Sequence, residues 1–213
     1  MTLRVVLLAE GGRETGGEFR ISHAPGDALD RDLDWGPAHY LVERAISEVR
    51  GVPAEAVWFE EPLGTSRGTI ARGTQLYDVG SLAMLLRWAN AEKRPDLAIV
   101  LVDEDGHSSR KDELDRVARD VPVATIVAVA VREFEAWLIA DAEEVRSLLG
   151  SVQSPSALEL LPPREAKDLL IGWVTGKRQD ERAIRVSLAR SCRLDVVRER
   201  CPSFGLFLRE LAV

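Results

Sequence analysis

The sequence predicts an α/β protein: a mostly parallel sheet with helices on both faces, followed by a helical C-terminal extension. Three observations predict it. Short, unbroken apolar runs at Leu3–Ala9, Leu97–Val102 and Pro122–Val131 suit strands buried on both faces, as in parallel sheets. Segments with helical periodicity separate them, which is the alternation of an α/β fold. Beyond a Ser- and Pro-rich stretch at 151–163 only helical patterns occur. The expected organisation is an α/β domain over 1–150, a linker over 151–163 and a helical lobe over 164–213.

The elements follow in order. Leu3–Ala9 is the first strand and ends in Glu10-Gly11-Gly12; residues 11–35, rich in Gly, Asp and Arg, read as a loop. Gly36–Arg50 places Leu41, Ala45, Ile46 and Val49 on one helical face, and Gly51-Val52-Pro53 stops it. Ala56–Phe59 is a short strand, and Gly64–Gly73 a second loop. Asp78 is placed to cap a helix reaching about Asn90. The strand over Leu97–Val102 runs into Asp103-Glu104-Asp105-Gly106, and a helix is expected from Ser109 to Arg119. The valine-rich run at Pro122–Val131 passes into a helical turn at Phe134–Leu138. There Trp137, three residues after Phe134, reads as core, and Asp141 reads as the cap of the next helix, with Glu144 three residues on. Helices are then expected at Arg164–Trp173, Asp180–Ala189, Leu194–Glu199 and from Cys201 or Pro202 to Leu211.

The chain has 213 residues, 46% apolar and 30% charged, as a soluble globular protein does. No run approaches the roughly 20 apolar residues that span a bilayer. The first apolar run breaks at Glu10 and does not read as a signal peptide. Cys192 and Cys201 lack CxxC spacing and read as buried free thiols, so the cytoplasm is the expected compartment. Net charge is -7, unevenly spread: residues 1–163 carry 17 Lys and Arg against 28 Asp and Glu, residues 164–213 carry 11 against 7. An acidic chain binds phosphates poorly by itself. Nucleic acid, if it is the substrate, is expected to be held by the basic C-terminal segment or by a partner protein.

Asp103 and Asp105 stand two apart at the carboxyl end of a buried strand, where ligands bind in open parallel sheets. Glu10 occupies the matching end of the first strand. Three carboxylates gathered at one sheet edge suit a hard cation, Mg²⁺ or Mn²⁺; the plain alternative is a polar turn leaving a strand. Glu135, at the end of the fourth strand, is a further candidate metal ligand, against the reading that Glu133 and Glu135 merely favour a helix N-terminus. Arg67 and Arg72, set between glycines, are candidates for holding phosphate, and so is His107; solvated loop residues are the plain reading of all three. No GxSxG, Walker A or GxGxxG run occurs, which argues against a serine hydrolase, an ATPase or a dinucleotide site.

Glu10 after the first strand with Asp103-x-Asp105 after a later one resembles the Toprim pattern. Val131-Arg132-Glu133-Phe134-Glu135-Ala136-Trp137-Leu138-Ile139-Ala140-Asp141 is similar to the "E-x-E-A-W-L-L-A-D" segment of the domain-of-unknown-function 4276 family. Arg200-Cys201-Pro202-Ser203-Phe204-Gly205-Leu206-Phe207-Leu208 is similar to that family's "R-x-C-P-x-F-x-x-F-L" ending. Of its "E-G-x-T-E" run, Glu10, Gly11 and Glu14 fit, with Arg13 in the place of threonine. The resemblance implies a Toprim-like sheet and a metal-dependent nuclease acting with an ATPase in a bacterial defence system. In it Glu10, Asp103 and Asp105 would hold Mg²⁺ or Mn²⁺ and carry the catalysis. The alternative is a non-catalytic adaptor or sensor subunit that keeps the fold. A phosphotransferase using Asp103 as nucleophile would need a lysine and a hydroxyl donor in fixed places, which the sequence does not identify.

Overall fold

The computed structural model describes residues 2–15, 31, 34–61, 63, 71 and 73–213. Its elements, in chain order, are β1 (Leu3–Ala9), α1 (Gly12–Thr15), α2 (Pro37–Arg50), β2 (Val57–Phe59), α3 (Thr74–Tyr77), α4 (Val79–Glu92), β3 (Leu97–Asp103), α5 (Arg110–Arg119) and β4 (Thr125–Ala130). They continue with α6 (Phe134–Leu138), α7 (Ala142–Leu149), α8 (Glu165–Gly176), α9 (Glu181–Ser191), α10 (Leu194–Arg200) and α11 (Pro202–Leu211). The four strands form one parallel sheet in the order β2-β1-β3-β4, with Leu7 beside Ile99 and Val100 beside Val127. This is the predicted fold class.

The two central strands explain their own sequences. Side chains alternate between faces along a strand, so a strand covered on both faces must be apolar at every position. Val5, Leu7, Ile99 and Leu101 enter one core, with α2; Val6, Leu8, Val100 and Val102 enter the other, with α4 and α5. The C-terminal helices join the α2 side: Leu170, Leu188, Val197, Phe207 and Leu211 belong to the same buried cluster as Leu7 and Ile99. Residues 151–163, read as a linker, are anchored there as well. Leu158 is fully buried, and Ser154 donates to the Ile139 carbonyl at 2.6 Å.

Trp137 fixes this arrangement. Its ring lies 5.1 Å from Phe204 and 6.1 Å from Phe207, and its Nε1 donates to Ser203 Oγ at 2.9 Å. The two most distinctive stretches of sequence, around Glu135–Asp141 and Cys201–Leu208, are therefore one packed contact. Both caps form: Asp78 accepts from the Ser81 N–H at 2.7 Å, and Asp141 from those of Glu143 and Glu144, but Glu144 does not complete a capping box and instead accepts from Ser191 Oγ at 2.7 Å. Two short helices escape the sequence reading: α1, which lies in the stretch read as a loop, and α3, just before the Asp78 cap. Four residues are too few for any apolar period to register. Among the described residues no helix is long and apolar enough to cross a membrane.

Candidate functional site

The chain leaves β1 for β2 on one side, then returns past β1 to place β3 on the other. The carboxyl ends of β1 and β3 therefore flank the point where strand order reverses, the place where a crevice opens in doubly wound sheets. Glu10 follows β1 and Asp103 closes β3. The Asp103 N–H donates to Glu10 Oε2 at 2.9 Å, and Asp103 Oδ1 in turn accepts from the Phe134 N–H at 2.7 Å. One carboxylate thus joins β1 to β3, and the next joins β3 to the chain leaving β4. The Gly73 N–H donates to the Glu10 carbonyl at 2.8 Å, so the start of α3 also meets this point.

Two further acids reach the same place. The single turn α1 swings Glu14 back over Gly11, whose lack of a Cβ leaves room for the Glu14 carboxylate in this position. Glu135 projects inward from α6 and is completely buried. Beside it the C-terminal helices place two cations: Arg185 of α9, 1% exposed, lies 2.7 Å from Glu135 Oε1, and Lys167 of α8 lies 3.9 Å from it. Glu135 Oε1 is held by the Arg185 ion pair, while Glu135 Oε2 and Glu14 Oε2 are buried without a hydrogen-bond partner. Glu133, buried and close enough to feel the Glu135 charge, accepts the Lys167 N–H in the first turn of α8 at 3.0 Å.

The electrostatics follow from this crowding. Burial, then Glu135, Glu14 and Glu10 in turn, push the Asp103 carboxyl up to about 9, against the pull of the Phe134 N–H. Burial raises Glu10 to about 7; the Asp103 N–H and Arg110 pull it down, and Asp105 and Glu14 push it up. Burial and Glu135 raise Glu14 as well, while Lys167 and Arg185 oppose the rise. Each charge here is costly without a cation. An all-oxygen donor set containing buried, unsatisfied carboxylate atoms fits Mg²⁺ or Mn²⁺ in chemistry. In geometry, no group of three or more His, Cys, Asp or Glu side chains among the described residues stands in a metal-holding arrangement. Glu10 and Asp103 are instead turned onto main-chain amides.

The residues expected from sequence are distributed as follows. Glu10, Asp103 and Glu135 lie in this cluster. Asp105 lies at its mouth, in the left-handed region (φ 50°) just before Gly106 (φ 74°), with its side chain 53% exposed and 3.5 Å from Arg110 Nη1. Arg110 also donates to the Asp103 carbonyl and stacks 4.0 Å from the Tyr77 ring centroid. Arg67 and Arg72 lie outside the described residues. His107 is exposed, lies 3.4 Å from Ser109 Oγ, and lines a separate cavity of roughly 310 Å³ with Glu104, Lys111, Ser203 and Arg209. Sequence reading did not assign Arg110, Lys167 or Arg185 to the site. They come from three different helices, and no local spacing links them to the acids. Glu14 did carry a signal, its place in the "E-G-x-T-E" run.

A family model described as Domain of unknown function (DUF4276) matches residues 64–212. No curated protein and no solved structure matches the chain.

Proposed function

Because the chain belongs to the family described as Domain of unknown function (DUF4276), a description that names no chemistry, we propose its function from the acidic centre itself. The proposal is a Mg²⁺- or Mn²⁺-dependent nuclease of Toprim type that hydrolyses phosphodiester bonds in DNA or RNA. It works as the effector of an ATPase-containing defence system, in the cytoplasm. The observation that carries the reading is the joining of Glu10 to Asp103 at the sheet's switch point, with Glu14 and Glu135 buried beside them.

A bound Mg²⁺ or Mn²⁺ supplies charge neutralisation at the phosphoryl oxygens and an activated water. Asp103 and Glu10 would hold it, with Asp105 reaching in from the mouth. A Glu10 carboxyl raised to about 7 is also suited to proton transfer near neutral pH. Arg110 holds the Asp103–Asp105 turn by its carbonyl and carboxylate contacts and keeps a positive charge at the opening. Arg67 and Arg72, which lie outside the described residues, are assigned to substrate phosphate, as is His107. The -7 charge leaves strand binding to the ATPase partner, whose basic surface offsets it.

The adaptor reading draws on one observation: Glu10 and Asp103 each spend an oxygen on a main-chain amide, as structural carboxylates do. The first test is thermal melting with Mn²⁺, alone and with Asp103→Asn, followed by cleavage assays on DNA and RNA with and without an ATPase encoded beside this chain. A Mn²⁺-dependent rise in Tm that Asp103→Asn removes, together with Mn²⁺-dependent cutting, supports the nuclease. No rise and no cutting in either assay leaves the adaptor.

A further inference from the structure

We infer that the free edge of β4 is a docking slot for an extended peptide segment of another protein, which adds to the sheet as a further strand. The inference goes beyond the acidic centre and does not depend on its binding a metal.

Register sets the edge. β4 stands last in the order β2-β1-β3-β4, so β3 is its partner strand on one side only. The Ala98 N–H donates to the Ala124 carbonyl at 2.8 Å, and the Glu104 N–H to the Ala130 carbonyl at 2.9 Å. In a parallel strand the N–H and C=O of one residue point to the same side, and that side alternates from residue to residue. The even-numbered residues of β4 therefore face β3, and Thr125, Val127 and Val129 turn their main-chain groups outward. At the next odd position the Val131 N–H is met by Ser203 Oγ at 3.4 Å. The outward groups of Val127 and Val129 have no partner among the described residues, although Val127 is 1% and Val129 8% exposed. Buried main-chain donors and acceptors need partners.

The cavity of roughly 310 Å³ that His107 lines opens along this edge, between Val127, Val129 and Val131 on one side, Leu206 and Phe207 of α11 on another and Lys111 of α5 on a third. A second cavity, roughly 320 Å³, shares Val127 and reaches Thr125. The two helices flank the edge from opposite faces: Val127 and Val129 share a core with Leu114 of α5, and Ala128 shares one with Phe207. The Lys111–Glu210 ion pair, at 2.8 Å, ties them across it. Spacing decides the occupant. Val127 and Val129 each present a donor and an acceptor, about 6.6 Å apart, twice the rise per residue of a parallel strand. An extended main chain carries matching groups at the same repeat, which is how peptides add to sheet edges. A second copy's β4 edge fits worse, because its own flanking helices would meet α5 and α11. The side chains of a single segment alternate, one toward Leu206 and Phe207 and the next toward Lys111, so an apolar residue beside an acidic one suits the slot. Glu104 and His107 close its end, which sets the segment against the turn that carries Asp103 and Asp105.

The test uses the full chain and, as probe, a phage-displayed library of short linear peptides; the best binder is synthesised and its Kd read by fluorescence anisotropy. Val129→Pro removes only an outward N–H, a change that edge strands tolerate. It is expected to leave the Tm within a few degrees of wild type and to weaken binding at least about tenfold, the worth of one hydrogen bond. N-methylation at successive peptide residues is expected to abolish binding at every second position and spare those between. If Val129→Pro folds poorly, Leu206→Glu, which sets a charge on the α11 wall, takes its place with the same expected loss at unchanged Tm. A library that yields no binder, a binder indifferent to the substitution used, or an N-methyl series without alternation overturns the inference and leaves the nuclease reading untouched.

Discussion

The outer and inner ends of the acidic centre use the same functional group in opposite ways. At the outer end Glu10 and Asp103 rest on main-chain amides. At the inner end Glu135 is compensated by side-chain cations, Arg185 and Lys167, and both it and Arg185 are sealed from solvent. A buried carboxylate needs compensation whatever its role. What differs is whether the compensation can be exchanged. On the nuclease reading proposed above, the outer end would exchange its partners and the inner end keep them.

The comparison breaks most visibly at Asp103. Asp103→Asn keeps an oxygen for the Phe134 N–H and removes the charge, so the fold should survive while Mn²⁺-dependent cutting falls by at least about a hundredfold. Paired melting curves and cleavage rates measure both. Unfolding would mean the outer end is structural after all. At the inner end the pattern should invert. Arg185→Gln leaves Glu135 buried and less compensated, and urea unfolding should show a loss of about 3–5 kcal/mol. Adding Glu135→Gln should recover most of it. A single variant as stable as wild type would show that Lys167 alone suffices.

Protons sharpen the contrast. Asp103 and Glu10 have carboxyls raised in the folded protein, so folding takes up protons there. The stability this gives is complete below the ordinary carboxylate range and is lost as pH rises through about 7 for Glu10 and about 9 for Asp103. Metal-free Tm should therefore fall between pH 5 and pH 9, and the Tm gain on adding Mn²⁺ should grow over the same interval. A gain that is flat with pH would detach the ion from these two acids. The smallest effect belongs to Asp141, six residues after Glu135, which serves structure alone. It caps α7 and receives Arg193 through Nε at 2.8 Å, and these bonds hold its carboxyl at about 2. Its contribution is present above the ordinary Asp range and fades as pH falls through about 2. Asp141→Ala should cost about 1–2 kcal/mol in urea unfolding at neutral pH and leave Mn²⁺ binding unchanged.

Sequence alone determined a good deal. The apolar runs of β1 and β3 fixed a parallel sheet because only strands covered on both faces can be apolar at every position. The order of elements then put Glu10 and Asp103 at one edge, since parallel strands share a carboxyl end. Asp78, Asp141 and Trp137 were legible because caps and core positions depend on neighbours within a few residues. Tertiary structure decided the rest. That Asp105 stays at the mouth while Glu14 folds inward depends on one left-handed residue and one four-residue turn, below the reach of periodicity. That Arg185 and Lys167 compensate Glu135 depends on α8 and α9 packing into the main core through Ala166, Leu170, Ile184 and Leu188, dozens of residues along the chain from Glu135. Charges paired through space leave no spacing in a sequence, because the burial that makes such a pair necessary exists only once the helices have packed.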